Sequence, residues 1–253
     1  MKPPELMAVV PAAGQGLRLG ATVPKLFLDV GRGVRIYDVL LARLAVVTRD
    51  VHFVLSQEGL TQFERPGRPV PRGVRVTASL QDEARGMGDA VFGASAYWRD
   101  ARHILIVWGD QLGVSEGTLR RVVLRHCVAT SPTMTLPLVH RESPYVHYEL
   151  KGGTLVRVAQ AREGDACPTQ GLSDVGTFAL TTSGLEAAWQ RYLLRPDARG
   201  ARTGEINLLP LFAYLACHEA FRLNVVEVGD PAESRGVNTP EDLAYFRAKL
   251  AGD

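Results

Sequence analysis

Two rhythms of apolar positions run through the first half of this chain. The run Ala8-Val9-Val10 is unbroken, as in a strand buried on both faces of a parallel sheet. Within residues 34–47, Ile36, Val39, Leu40, Leu44 and Val47 recur at helical spacing and predict a helix with one buried face. Residues 52–55 and 74–77 read as short strands, 89–98 as a helix, 104–108 as a buried strand and 115–126 as another helix. Such β–α–β–α alternation predicts a largely parallel, doubly wound sheet.

The rhythm then changes. Residues 134–139, 146–150, 155–158 and 177–180 look like successive strands, with turns at Ser143-Pro144 and Gly152-Gly153. An antiparallel extension is expected there, followed by helices over 185–194 and 206–218, a strand over 221–228 and a last helix over 240–250. The expected fold class is α/β, Rossmann-like, with the antiparallel part walling in a second substrate at the carboxyl ends of the parallel strands. One domain over residues 1–253 is expected: a nucleotide-binding half to about 130, an acceptor-binding half from about 131 to 236, and a returning C-terminal helix over 237–253.

Composition narrows the partners. A net charge of +2 over 253 residues gives no global basic field, which argues against nucleic acid. No apolar run approaches a membrane span, and the first residues show no signal-peptide core. The three cysteines, Cys127, Cys167 and Cys217, are odd in number and widely spaced. Neither a disulfide framework nor a zinc ribbon fits, and a cytoplasmic location is expected. The basic, proline-punctuated loop over 65–73 reads as solvated surface. Oligomeric state is left open.

The chemistry concentrates after the first strand, where Ala12-Ala13-Gly14-Gln15-Gly16-Leu17-Arg18 leads on to Pro24-Lys25. Glycines after a buried strand let backbone N–H groups approach a polyanion, and Arg18 and Lys25 add positive charge. Neither the P-loop spacing nor G-x-G-x-x-G fits this string. Gln81 to Ala90 follows a strand and opens a helix, so backbone N–H groups point outward there. Asp110 follows the 104–108 strand, where a side chain enters the ligand crevice of an open α/β sheet. In Asn238-Thr239-Pro240-Glu241-Asp242, helix capping explains Thr239, Pro240 and Asp242 but leaves Asn238 free.

The pattern A-A-G-x-G-x-R-x(5)-P-K resembles the signature loop of the sugar-1-phosphate nucleotidyltransferases. The motifs run in that family's order from Val9 to Leu250, with the closest likeness to the uridylyltransferase domain that makes UDP-N-acetylglucosamine. The resemblance implies a nucleotide cradle of Ala12, Ala13, Gly14 and Gly16, with Arg18 and Lys25 as catalytic cations. It implies base recognition by Gln81, Gly86 and Met87, the last replacing the usual Thr. It implies Mg²⁺ held by Asp110 and Asn238, and partners that are a nucleoside triphosphate, UTP or dTTP, and a phosphorylated small molecule.

Acceptor contacts would fall to Val146, Gln160, Asp174 and Glu205. Here the chain departs from the family: Tyr-Gly-Arg becomes Tyr145-Val146-His147, a strand-end glutamate becomes Gln160, and Asn-Thr-Gly becomes Asp174-Val175-Gly176. In Gly204-Glu205-Ile206-Asn207-Leu208-Leu209-Pro210, Leu209 and Pro210 replace a Thr-Asp pair. For Glu205, a place beside the positive end of a helix is an equal account. Two other readings stay open, cytidylyl transfer to a phosphorylated alditol, choline or phosphonate, and a non-catalytic nucleotide-binding protein.

Overall fold

The structure is a computed structural model that describes residues 5–14, 20 and 23–252. Strand β1 (Leu6–Pro11) leads through a 3-10 turn to a short hairpin, β2 (Asp29–Gly31) and β3 (Val34–Arg35), and then to helix α1 (Ile36–Leu44). Next come β4 (Asp50–Leu55), α2 (Gln57–Phe63), β5 (Arg75–Leu80), α3 (Met87–Gly93), α4 (Ser95–Trp98), β6 (His103–Val107) and α5 (Glu116–Cys127). The second half runs β7 (Thr133–Glu142), β8 (Val146–Lys151), β9 (Thr154–Gln160), β10 (Gln170–Asp174), β11 (Thr177–Thr181), α6 (Leu185–Leu193), α7 (Leu209–His218), β12 (Arg222–Val228) and α8 (Pro240–Gly252).

The main sheet has eight strands in the order β10-β7-β11-β6-β1-β4-β5, with β12 added to β7. Strands β5, β4, β1 and β6 are mutually parallel, β11 is antiparallel to β6 and β7, and β12 is parallel to β7. Side-chain alternation divides the apolar residues between two cores, one on each face. Met7 and Val9 of β1, with Ile104 and Ile106 of β6, join the core under α3, α6 and α7. Leu6, Ala8 and Val10, with Leu105 and Val107, join the core under α1, α5 and α8. The expected α/β class, doubly wound with an antiparallel extension, is what the chain adopts.

Several boundaries differ from the sequence reading, each for a local reason. The helix expected over 89–98 is two helices, broken at Ala94, whose ψ is 12°. The expected 34–47 helix begins only at Ile36, because Val34 and Arg35 pair with β2. The helix expected from 206 begins at Leu209 instead, since Ile206 bridges Arg199 as a fragment of strand. Glu205 therefore lies outside any helical first turn, and a helix dipole does not account for it. Arg68, in the basic loop, does not simply face water; its guanidinium stacks 4.1 Å above the Phe63 ring.

The strand β10 was not expected. It leads directly into β11, and the pairing with β7 slips between them, from Asp174↔Leu138 to Ala179↔Thr135. The irregularity falls at Asp174-Val175-Gly176, where Gly176 has φ +69°, a left-handed conformation that glycine adopts without strain. Among the described residues no helix is long and apolar enough to cross a membrane.

Candidate active site

Strand order reverses between β1 and β6: the chain leaves β1 toward β4 and β5, then returns to β6 on the other side. Loops after two such strands diverge and open a crevice at their carboxyl ends. The loop after β1 carries Ala12, Ala13 and Gly14; the turn after β6 carries Trp108, Gly109 and Asp110. Gly109 N–H donates to Pro11 O at 3.2 Å, which ties the turn after β6 to the end of β1, and Ala12 N–H donates to Val54 O at 2.8 Å, which ties the loop to β4. A Cβ on residue 109 would lie 2.5 Å from Ala12 Cβ and 3.1 Å from Pro11 O. Gly109→Ala should therefore displace the loop after β1, costing about 2 kcal/mol of stability by urea unfolding, as overpacking does. An unchanged midpoint would contradict this account of the junction.

Lys25 crosses the mouth of the crevice. Its ammonium donates to Asp110 Oδ2 at 2.8 Å and to Asn238 Oδ1 at 3.0 Å. Lys25 and Asp110 are about four-fifths buried, with side-chain exposures of 19% and 22%. Asp110, 85 positions from Lys25, and Asn238, 213 positions from it, thus meet at one cation. The local sequence explains how Asn238 arrives. Asp242 accepts from the N–H groups of Asn238 and Thr239, each at 3.0 Å, and the Thr239 hydroxyl accepts from Asp242 N–H at 3.2 Å. This reciprocal cap fixes the entry to α8. Val237 N–H then donates to Asp110 O at 2.9 Å, tying the two turns by backbone.

Gly236, which had no assigned role, is what permits the approach. A Cβ there would sit 3.1 Å from Asp110 Oδ1 and 3.2 Å from Asn238 Nδ2. Gly113 does the same one loop further out, where a Cβ would meet the carbonyl oxygens of Ala232, Arg235 and Glu233 at 2.6–2.8 Å.

The Gln81 segment forms the other rim. Gln81 Nε2 donates to Gly86 O at 3.1 Å and to Asp89 Oδ2 at 2.9 Å. Both partners here act as acceptors, so the amide orientation is fixed by its bonds and both its hydrogens are used. What remains for a ligand is the acceptor Oε1. Gly86 (φ +114°) faces the 206 segment closely: a Cβ there would lie 2.6 Å from Ile206 O. Gly88 N–H donates to Ile206 O and Ile206 N–H to Arg85 O. Gly86 thus has a packing reason to be glycine apart from any nucleotide. Met87, half-buried, packs against the α3-side core.

The four acceptor-side residues are also placed. Val146 and Gln160 are register partners across the β8–β9 hairpin; Gln160 is 4% exposed and also lines a cavity of about 580 Å³ between β9 and α7. Asp174 is at the β10–β11 kink, its Oδ1 accepting from Gly176 N–H at 2.7 Å. Trp108 N–H donates to Gly176 O at 2.9 Å, which ties that kink to the Asp110 turn. Glu205 pairs with Arg162 at 2.7 Å, and its Cβ packs near Gly86. Gly16 and Arg18 lie outside the described residues.

Sequence reasoning missed two supporting residues. The Glu163 carboxylate, nearly buried, accepts from Thr203 Oγ1 at 2.7 Å and from the N–H groups of Arg202 and Thr203, bracing the loop that carries Glu205. Tyr148 sits fully buried beneath the hairpin. Neither stands in a motif; an inward-facing tyrosine on a short strand looks like core until its hydroxyl is located.

Residues 8–172 match the MobA-like NTP transferase domain. The chain belongs to that family. The nucleotidyltransferase fold extends beyond the matched segment. The whole chain superposes with a TM-score of 0.73 on a crystal structure of a Bacillus anthracis protein assigned as a glucose-1-phosphate thymidylyltransferase, in complex with a sucrose. That likeness covers 98% of this chain and 96% of the other at 16% identity. Nucleotidyl transfer is the reaction class of this family, and the chain is a nucleotidyltransferase.

Proposed function

We propose that this nucleotidyltransferase joins UTP or dTTP to a sugar 1-phosphate, or to a similarly phosphorylated acceptor, and releases pyrophosphate. The observation that carries the reading is the convergence of Asp110 and Asn238 on one cation at the strand-order switch. One carboxylate and one amide oxygen facing a common point suit a hard cation that keeps its other positions for phosphates and water. Among the described residues no cluster of three or more His, Cys, Asp or Glu competes for that role. Mg²⁺, when bound, supplies charge neutralisation at the reacting phosphates, and Asp110 and Asn238 are the residues that would hold it.

The reaction is a single in-line displacement. An acceptor phosphate oxygen bonds to the α-phosphorus while the bond from that phosphorus to the pyrophosphate oxygen breaks. A phosphate monoester is largely anionic near pH 7, so no residue need remove a proton. The protein must bring anions together and hold them in line. Lys25 supplies a fixed positive charge for the α-phosphate and the incoming oxygen. Ala12, Ala13 and Gly14 lie beside the Gly109 turn; the Ala12 N–H is spent on Val54 O, so the backbone N–H groups assigned to the nucleotide here are those of Ala13 and Gly14. Arg18 is assigned to the departing pyrophosphate by the sequence pattern.

Base choice follows from Gln81. With its N–H groups spent on Gly86 and Asp89, Oε1 accepts from a ring N–H, which uracil and thymine carry. Cytosine has an acceptor at N3 and its edge donor only at the exocyclic N4 amine, so in the same pose it sets two acceptors face to face and must shift along its edge to donate. Pyrophosphate release should therefore be measured with each NTP and Mg²⁺ against a panel of sugar 1-phosphates and other phosphate esters. UTP or dTTP is expected to exceed CTP by at least about tenfold. GTP, whose base also carries a ring N–H, serves as the control for base size. A preference for CTP would favour the cytidylyl reading, and NTP binding without release from any pair would end the transfer reading.

A further inference from the structure

Asn238 reaches the crevice on the segment between β12 and α8. The middle of that segment is anchored by Val237, which is fully buried and bonded to Asp110 O. Its two ends are joined by a contact that helix capping does not require. One carboxylate oxygen of Asp242, Oδ2, accepts from the N–H groups of Asn238 and Thr239, each at 3.0 Å. The other, Oδ1, accepts from Arg235 Nε at 2.7 Å. A single carboxylate thus grips the chain before Gly236 by a side chain and after Val237 by the backbone.

Arg235 is itself held from several directions. Its guanidinium lies 4.2 Å from the centroid of the Tyr245 ring, about one turn along α8 from Asp242, and that ring packs on the core. Its backbone N–H donates to Ala232 O at 3.1 Å. Its carbonyl oxygen presses on the loop after Asp110, where a Cβ on Gly113 would meet it at 2.6 Å. Glu233, just before it, accepts from the N–H and hydroxyl of Ser115 at 2.9 and 3.1 Å. Arg235 therefore stands where the Asp110 turn, the Asn238 segment and α8 converge. With its arginine 37% exposed, the Arg235–Asp242 pair adds little to stability. Its effect is geometric: groups that orient a metal-holding side chain commonly change metal affinity ten- to a hundredfold.

We infer that Arg235 is a positioning residue for the cation site: through Asp242 it sets where the Asn238 amide oxygen stands relative to the Asp110 carboxylate. This rests on Asp110 and Asn238 being the residues that would hold the divalent cation, and it adds a residue that acts only through them. The sign of the effect separates position from charge. A positive charge near a cation site repels the cation, so if Arg235 mattered by charge alone, removing it would tighten divalent binding. If it places Asn238, removing it weakens that binding.

The test is a double-mutant cycle on the Mn²⁺ affinity of the free protein, read from loss of the free-ion paramagnetic resonance signal. Arg235→Ala should weaken Mn²⁺ binding about tenfold. In an Asn238→Ala background the same substitution should change affinity by less than about twofold, because the group it positions is gone. In steady state, the Mg²⁺ concentration giving half-maximal pyrophosphate release should rise about tenfold, while turnover at saturating Mg²⁺ falls no more than about threefold. Arg235→Lys keeps the charge and loses the planar face over Tyr245, and it replaces Arg235→Ala in the cycle should that variant not fold. Unchanged or tighter Mn²⁺ binding in the Arg235 variant, or equal weakening in both backgrounds, overturns the inference. Mn²⁺ binding by Asn238→Ala at the wild-type level would defeat the assignment of Asn238 to the metal, and the inference with it. A cycle that closes as expected, with no pyrophosphate release from any substrate pair, would sustain the positioning role and defeat transfer.

Discussion

Lys25→Ala should lower turnover at least about a hundredfold while tightening Mn²⁺ binding to the free enzyme, whereas Asp110→Asn should lose both. The opposed signs follow from one arrangement. The Lys25 ammonium bonds the two oxygens, Asp110 Oδ2 and Asn238 Oδ1, that a divalent cation would need. Removing it frees both oxygens but takes away a positive charge that the reacting phosphates require. Removing the Asp110 charge leaves two neutral amides, which hold a hard divalent cation poorly. Turnover is read as pyrophosphate release at saturating NTP, and Mn²⁺ binding as loss of the free-ion paramagnetic resonance signal. The Asp110→Asn loss should be the larger, roughly a thousandfold, because the several kcal/mol attributed to metal-assisted catalysis depend on its carboxylate. Near-normal turnover in either variant would remove that residue from the site, and unchanged Mn²⁺ affinity in Lys25→Ala would mean that the ammonium does not compete.

The same pair shows what a sequence can disclose. Asp110 and Asn238 stand out by local context, one after an apolar strand and one left over by a helix cap, and it is the family resemblance that pairs them. Their meeting requires Gly236, Gly113 and the Val237–Asp110 backbone bond, which depend on loop paths that no periodicity encodes. Strands β1, β4 and β6 were legible because they are buried on both faces and therefore nearly continuous in apolar residues. Strand β10 was not: Gln170-Gly171-Leu172-Ser173-Asp174 is mostly polar and lies at the end of the sheet order. Missing it meant missing the kink, and with it the surroundings of Asp174.

Exchange of chemistry along the acceptor wall is more informative than its loss. Relative to the uridylyltransferases that the sequence resembles, Gln160 stands at an expected glutamate and Asp174 at an expected asparagine, so one carboxylate and one carboxamide remain with their positions traded. The residues proposed for the phosphate end, Lys25 with Asp110 and Asn238, match that resemblance. If these positions face the acceptor, a charge moved from a strand end to a half-buried kink would change which acceptor fits without changing the reaction.

Below pH 6.5 the protein should lose stability steeply, by several kcal/mol before pH 4, through histidines that have nothing to do with catalysis. His52 and His126 are fully buried. Burial is the main cause that lowers each pKa to about 4, assisted for His126 by neighbouring His103. His52 lies between the hydroxyls of Thr77 and Ser79 at 2.8 and 2.9 Å, and His126 contacts the Thr135 hydroxyl at 2.9 Å. In the unfolded chain both rings take up a proton near pH 6.5. Between that value and about 4 the unfolded state binds more protons, so unfolding is favoured as pH falls; below about 4 both states are protonated and the effect levels off. Each ring accounts for about 3 kcal/mol across this window, a large share of the roughly 5–15 kcal/mol that a typical domain possesses. His103, lowered by burial and by Arg102, adds to the same slope. Carboxylates held below their ordinary pKa, such as Glu219 beside Arg191 and Asp197 beside Arg195, lose their contribution in a lower range, which keeps the two effects apart. Urea unfolding at pH 7, 6 and 5 measures the slope, and His52→Gln and His126→Gln should each flatten it. A slope shared unchanged by wild type and both variants would show that these rings already carry their protons when folded.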